Sequence, residues 1–267
     1  MLPTVNILIS TVGQRISQVP AVLMPQQEGV SYVISHQDDG THAVPASLLD
    51  RPDVLLSTIE GRGLSRNRNN TLRHAAADIC IIADDDCRYT GQRILQVRQA
   101  YADHPEADII CFASEDYDCH PRQRYPRLSM DYPQAVRAGY YASSVELTFR
   151  RKSVVGRICF NPHFGLGAPR LCAGEEDVFL ADALRQGLKA IFIPKVIVQT
   201  APGSTGQAFL TNPQLQLTKG ATFRHCYGIA GALWRTLKEA GWWFVHRRAN
   251  PFPILYRMTK GAITVKR

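Results

Sequence analysis

Six short, almost uninterrupted apolar runs leave this chain few architectures. They are Val5-Asn6-Ile7-Leu8-Ile9, Val30-Ser31-Tyr32-Val33-Ile34, Asp53-Val54-Leu55-Leu56-Ser57, Ile79-Cys80-Ile81-Ile82-Ala83, Asp108-Ile109-Ile110-Cys111-Phe112 and Ala190-Ile191-Phe192-Ile193. A strand that is apolar on both faces belongs in a sheet covered on both sides, the setting of parallel strands joined by crossover helices. Helical segments fit between the runs. Ser65 is placed as an N-cap for a helix reaching about Ala77. Gly91 to His104 reads as a helix with Ile94, Leu95 and Val97 inward, stopped before Pro105. Glu175 to Gln186 is a third, with Val178, Phe179, Leu180, Ala183 and Leu184 apolar and Gly187 at its end. Strand–helix alternation predicts an α/β fold with a doubly wound, mostly parallel sheet and ligands at the carboxyl ends of the strands.

Composition narrows the class. The 267 residues are 45% hydrophobic and 20% charged. That is too apolar for a disordered chain and enough for one large domain or two small ones. No run of about 18 apolar residues exists, which excludes a polytopic membrane protein. The N-terminus, MLPTVNILIS, carries no charged leader region or cleavage site and reads as the first strand. The seven cysteines are odd in number, form no CxxC pair, and sit partly in apolar runs (Cys80, Cys111). They point to a reducing, cytoplasmic compartment rather than a zinc site or a disulfide framework.

The net charge of +8 is unevenly placed. From Lys219 to Arg267 there are ten Lys/Arg against one acid, Glu239, whereas the first 218 residues are close to neutral. A basic tail calls for an anionic partner. The neutral body argues against nucleic acid and leaves the anionic face of a membrane. Aromatic and aliphatic residues interleave with the bases there, in a stretch too short and too charged to span a bilayer. Closure of the core or a homodimer contact are the other readings of the same residues.

Three motifs carry chemistry. Ala83-Asp84-Asp85-Asp86 ends the fourth strand. Adjacent carboxylates repel unless a cation neutralises them, and Mg²⁺ or Mn²⁺ takes such oxygens together with substrate phosphates. In an extended segment Asp84 and Asp86 point one way and Asp85 the other, so Asp86 is placed on the metal and Asp84 on the metal or a sugar hydroxyl. About 20 residues upstream, Gly61-Arg62-Gly63-Leu64-Ser65-Arg66-Asn67-Arg68-Asn69-Asn70 brings bases and amides to a helix N-terminus, an anion site. Gly174-Glu175-Glu176-Asp177 opens a later helix, where the acids are either helix-dipole partners or a general base.

In this order the motifs resemble the family-two inverting glycosyltransferases of GT-A fold, over roughly residues 4–200. The likeness rests on Gly63-Leu64-Ser65-Arg66-Asn67-Arg68-Asn69, on Ile81-Ile82-Ala83-Asp84-Asp85-Asp86, and on Phe160-Asn161-Pro162-His163-Phe164-Gly165-Leu166-Gly167 leading to Gly174-Glu175-Glu176. It implies a nucleotide-sugar donor, Mn²⁺ or Mg²⁺, and inversion at the anomeric carbon. By the resemblance Thr11, Gln37, Arg66, Asn69, Asp84 and Asp85 lie on the nucleotide-sugar, Asp84 and Asp86 on the metal, and Glu176 is the base, with Asp177 its rival and Glu175 a positioning residue. It also implies a catalytic domain over 1–212, its donor half about 1–113 and its acceptor half about 114–212, followed by a helical basic extension over 213–267. The family's aspartate after the second strand is replaced by Ser35-His36-Gln37, with Asp38 and Asp39 just beyond, so a UDP-sugar is the expected donor with the base open. No histidine is assigned to metal. A saccharide or lipid-linked acceptor in bacterial surface-polysaccharide or lipopolysaccharide assembly follows from the family, with the chain peripheral on the inner membrane face. Glu115 to Arg137, rich in Tyr, Arg and Pro, is expected to be an irregular acceptor loop, with Tyr117, Tyr125 and Tyr132 stacking on sugars and Arg122, Arg124 and Arg127 meeting phosphate. The alternatives are a nucleotidyltransferase on a related sheet and a non-catalytic membrane-associated module.

Overall fold

The computed structural model describes residues 1–203 and 208–264. Lys266 and Arg267 of the basic extension, and residues 204–207 of the expected catalytic domain, lie outside the described residues. The chain forms two compact units. One holds Met1–Arg62, Arg66–Cys159 and Ala183–Pro202; the other holds Gly63–Ser65, Phe160–Asp182 and Gly203–Arg267.

The first unit is built on one eight-stranded sheet. Its strands are β1 (Val5–Val12), β2 (Val30–Gln37), β3 (Val54–Ile59), β4 (Ile79–Asp84), β5 (Ile109–Asp116), β6 (Met130–Asp131), β7 (Leu147–Arg150) and β8 (Ala190–Thr200). They lie in the order β3-β2-β1-β4-β7-β5-β8-β6. β1 runs parallel to β2 and β4, β2 to β3, and β5 to β8. β7 is antiparallel to both β4 and β5, and β6 to β8. Six strands therefore share one direction, as the apolar runs predict. The order reverses between β2–β1 and β1–β4, so the switch point where such sheets bind ligands lies at the carboxyl ends of β1 and β4.

All six runs become strands, and Ile7, Leu8, Ile34, Ile79, Ile81, Ile82, Ile109, Ile110 and Phe112 are fully buried. β3 departs from the pattern. It is the sheet edge, and Leu55 is 43% exposed because nothing covers one of its faces there.

Helices α1 (Ala46–Leu49), α2 (Leu64–His74), α3 (Gly91–Asp103), α4 (Tyr132–Arg137), α5 (Arg151–Val154) and α6 (Glu175–Arg185) fill the connections. Three expectations need correcting. Ser65 is not the cap of α2 but its second residue, and its hydroxyl donates to the Phe164 carbonyl at 2.7 Å. α2 ends at His74 rather than near Ala77, because the N–H groups of Ala76 and Ala77 turn to the Asn6 side-chain oxygen, each at 2.8 Å. Leu95 of α3 points outward: the helix buries Ile94, Val97, Ala100 and Tyr101, and Leu95 lies about 100° round from that stripe. Thr90 caps α3 by accepting from Arg93 N.

The Glu115–Arg137 segment is the irregular loop expected only over residues 117–129. It begins inside β5 and contains β6 and α4. The Tyr125 ring stacks on Phe192 with 6.1 Å between centroids, and its hydroxyl bonds Ser114 and Glu146. Tyr132 is buried edge-on against Tyr140. Both rings are spent on the interior, around the Glu146 carboxyl, which burial pushes up while Tyr125, Ser143, Ser114 and Tyr140 hold it down.

The second unit contains α7 (Pro213–Arg247) and α8 (Pro251–Thr264). Gly228, at φ 71°, breaks α7 into two helical stretches. The two helices touch backbone to backbone. A Cβ on Gly220 would lie 1.9 Å from the Met258 carbonyl oxygen, and one on Gly261 1.9 Å from that of Leu217. Phe209, Leu215, Ala240, Ile254 and Met258 form the core here, with Trp243 stacked on Phe209 at 5.2 Å.

Candidate active site

At the switch point the three aspartates have three environments. Asp84, the last residue of β4, accepts from Arg68 Nη2 at 3.0 Å. Arg68 is 1% exposed and also donates to Ser144 Oγ at 2.8 Å, so a buried guanidinium fixes the Asp84 carboxylate. The expected extension through the triplet fails: β4 ends at Asp84 and the Cys87 N–H closes a turn on the Asp84 carbonyl at 3.2 Å, so no strand alternation orients the buried Asp85. Asp85 accepts from Thr11 Oγ1 at 2.7 Å and from Arg15 Nε at 2.8 Å, with Arg15 Nη2 completing a two-pronged pair. The hydrogen bonds that Arg15 donates to Asp85 are the main reason its guanidinium is held firmly charged. Among the described residues Asp86 has no cationic partner of this kind. Burial first, and then the charges of Asp84 and Asp85, push its carboxyl up. The Tyr117 hydroxyl donates to the Asp86 carbonyl at 2.6 Å, and Arg88 lies 4.1 Å over the Tyr117 ring.

The donor set suits a hard divalent cation. Asp84 and Asp86 supply carboxylate oxygens. Ser10, which pairs with Asp84 across the β1–β4 ladder and so shares its face, has a buried hydroxyl with no hydrogen-bond partner among the described residues, as does Asn67 Oδ1. Two other clusters bring three ligating side chains within 4.8 Å of one another: Asp38, Asp39 and His42, and Asp116, Asp118 and His120. In the first, burial pushes the Asp38 carboxyl up, but His42 and the N–H groups of His42 and Gly40 hold it down at about 2.

The remaining expected donor residues stand at the same end of the sheet or on α2. Thr11 and Gln37 close β1 and β2 and are buried. The Thr11 carbonyl accepts from Asn67 Nδ2 at 2.8 Å, which ties α2 to β1. Arg66 is exposed, with its guanidinium against Gly61, and Asn69 is half-buried. Within the motif, therefore, Arg68 and not Arg66 reaches the aspartates. No local pattern in the sequence marks Arg15, and Tyr117, expected to stack on a sugar, instead donates to the Asp86 carbonyl. They come from 70 and 31 residues away.

In the second unit Glu175, Glu176 and Asp177 form the first turn of α6. Glu175 is 6% exposed, whereas Glu176 and Asp177 are half-buried. Burial pushes the Asp177 carboxyl from 3.8 up to about 6; the Lys219 charge opposes this and Glu175 adds to it. A carboxyl poised near 6 is suited to taking a proton at neutral pH. Gly174, at φ 80° and against Thr222, sets the start of this helix.

The mostly parallel sheet flanked by helices matches glycosyltransferases of GT-A fold. The profile of Glycosyl transferase family 2 matches residues 33–165, and the chain belongs to that family. Solved structures agree in fold. S. aureus TarS residues 1–349 is 12% identical, with a TM-score of 0.60 over 97% of this chain and 91% of that one; the chain spans 44% of the longer S. aureus TarS structure. The mannosyltransferase PcManGT from Pyrobaculum calidifontis, in complex with GDP-Man and Mn²⁺, is 14% identical, with a TM-score of 0.60 over 98% and 87%. TarS 1–349 in complex with UDP-GlcNAc is likewise similar, 12% identical with a TM-score of 0.57 over 97% and 91%. No curated protein sequence matches the chain.

Proposed function

We propose that the protein moves a sugar from a nucleotide-diphosphate donor to a hydroxyl of a saccharide or lipid-linked acceptor, with inversion at the anomeric carbon, in the assembly of a bacterial surface polysaccharide. The observation that carries this reading is Asp84, fixed by Arg68 at the switch point, beside the Asp86 carboxyl that burial and its two acidic neighbours push up. Asp84 and Asp86 hold Mn²⁺ or Mg²⁺, which when bound sets positive charge against the departing diphosphate. Arg15 and Thr11 hold the Asp85 carboxylate, so its charge is met by the protein. Thr11, Gln37, Arg66 and Asn69 line the nucleotide side. The neighbours carrying UDP-GlcNAc and GDP-Man keep both bases in view.

An acid of α6 takes the proton from the acceptor hydroxyl. The acceptor oxygen bonds to the anomeric carbon as the bond from that carbon to the diphosphate oxygen breaks, which inverts the centre. The family likeness puts this role on Glu176. The raised carboxyl of Asp177 favours a second reading in which Asp177 is the base. Thermal denaturation with UDP- and GDP-sugars, with and without Mn²⁺, tests the donor site, since a ligand of the folded state raises its stability. One donor class should stabilise the protein only with the metal, and NMR of the product should show the inverted anomer. No stabilisation by any donor, or a retained anomer, overturns the proposal. Glu176→Gln and Asp177→Asn, compared in turnover with donor binding intact, decide between the two bases.

A further inference from the structure

The C-terminal helices present a face that the transfer reaction does not use. After Gly228, α7 buries Ala232, Thr236 and Ala240 on one side. Next to that side round the helix, Leu233, Trp234, Leu237, Phe244 and Val245 are 41%, 62%, 54%, 57% and 69% exposed. At helical spacing these five, with Gly241 among them, form one stripe without a charged residue. Arg235 and Lys238 border it, and Arg247 and Arg248 follow at its end. α8 adds Phe252, Tyr256 and Ile263, all more than 60% exposed, with the exposed Lys260 between them. The one acid of α7 and α8, Glu239, is turned inward and paired with Lys219 at 2.7 Å and Trp243 Nε1 at 2.9 Å. The outer surface therefore carries large apolar groups and cations and no anion. Of the tryptophans, Trp243 packs on the core while Trp234 and Trp242 stay outside. No described helix is long and apolar enough to cross a membrane.

We infer that this face docks on an anionic lipid surface, with the stripe of α7 seated at the headgroup–acyl boundary and its basic rim on the headgroups. Continuous exposed apolar stripes mark interaction surfaces, and an apolar face bordered by bases is the pattern of interfacial helices. Charge decides the occupant. A second copy of this chain would bring two basic rims together, whereas an anionic bilayer neutralises them; each base near such a surface contributes roughly five-fold in affinity. The inference stands independently of the transfer reaction.

Flotation of the full chain with vesicles tests it, using phosphatidylcholine alone or with about 30 mol% phosphatidylglycerol at about 0.1 M salt. The protein should float with the anionic vesicles and at least about five-fold less with the neutral ones. Trp234→Glu with Leu237→Glu, at sites exposed enough to leave the fold intact by circular dichroism, should cut recovery about ten-fold or more. Lys238→Glu with Lys260→Glu should weaken binding to anionic vesicles alone. No flotation, equal recovery on both vesicles, or undiminished flotation of the Trp234→Glu/Leu237→Glu variant overturns the inference. So does sedimentation showing a dimer that this variant dissolves without any vesicle binding, which would make a second copy the occupant.

Discussion

Replacing Asp177 by Asn separates what its environment costs the fold from what it contributes to the reaction. Burial raises its carboxyl from 3.8 to about 6, with Lys219 opposing and Glu175 assisting. The folded chain therefore holds this proton over a range in which the unfolded chain has released it. Below about pH 4 both states are protonated and the site costs nothing; as pH rises to about 6 the fold loses stability, and the full penalty persists above that. A shift of about two units corresponds to about 3 kcal/mol, an upper figure for a half-buried group. An asparagine is neutral throughout and escapes the penalty. Urea unfolding of wild type and Asp177→Asn should give a stability difference that grows by up to about 3 kcal/mol in the variant's favour between about pH 4 and about pH 7, then levels off. A packing loss from the substitution moves the whole curve and leaves its slope unchanged, so the slope is the readout. If Asp177 is also the base, wild-type kcat/KM rises with pH around 6 and the variant loses that limb along with most turnover. A stability difference independent of pH would refute the claim that desolvation governs this carboxyl.

Asp86→Asn should abolish metal-dependent donor binding in calorimetry while leaving the apo protein as stable or slightly more so, because it relieves repulsion by Asp84 and Asp85; wild-type affinity would remove Asp86 from the metal. Arg68→Met strips Asp84 and Ser144 of their shared donor and should cost about 2 kcal/mol in urea unfolding, with weaker metal-dependent donor binding. Unchanged donor affinity would mean that Arg68 is not an anchor of the site. Gly220→Ala puts a methyl 1.9 Å from the Met258 carbonyl oxygen and should cost at least about 1–3 kcal/mol, read as a lower thermal midpoint; a neutral effect would show that α7 and α8 can part there freely.

The parts of the fold legible in the sequence are those governed by short-range pattern. A run such as Ile79-Cys80-Ile81-Ile82-Ala83 can be satisfied only deep in a sheet, and all five residues are fully buried. β7 was not legible. Leu147-Thr148-Phe149-Arg150 is four residues long, alternates weakly, and enters the sheet against the common direction between β4 and β5. Nothing in those four residues specifies neighbours that lie about 40 and 70 positions away in sequence. The Tyr-rich segment failed for a related reason. Its rings look like a sugar platform when read alone, but Glu146 and Phe192, both distant in sequence, draw Tyr125 inside. Periodicity describes which face of an element is apolar; it carries no address for the partner.

The same limit divides the site. Three consecutive aspartates are visible at once, but the strand alternation expected to separate Asp85 from its neighbours stops at Asp84, where the chain turns. What the sequence cannot supply is the counter-charge. Arg68 binds Asp84 from a helix turn that also offers Arg66, and only the helical phase, with Arg66 outward and Arg68 buried, selects between two arginines two residues apart. Arg15 reaches Asp85 from the segment after β1, 70 residues away in sequence. Once both cations are assigned, Asp84 and Asp85 are each neutralised by protein, and Asp86 is left as the carboxylate whose ionisation the fold opposes. A cation is then wanted on the side of Asp86, and the buried hydroxyl of Ser10 lies on the sheet face of Asp84, ready to accompany it. The asymmetry within the triplet comes from two arginines fixed elsewhere in the fold.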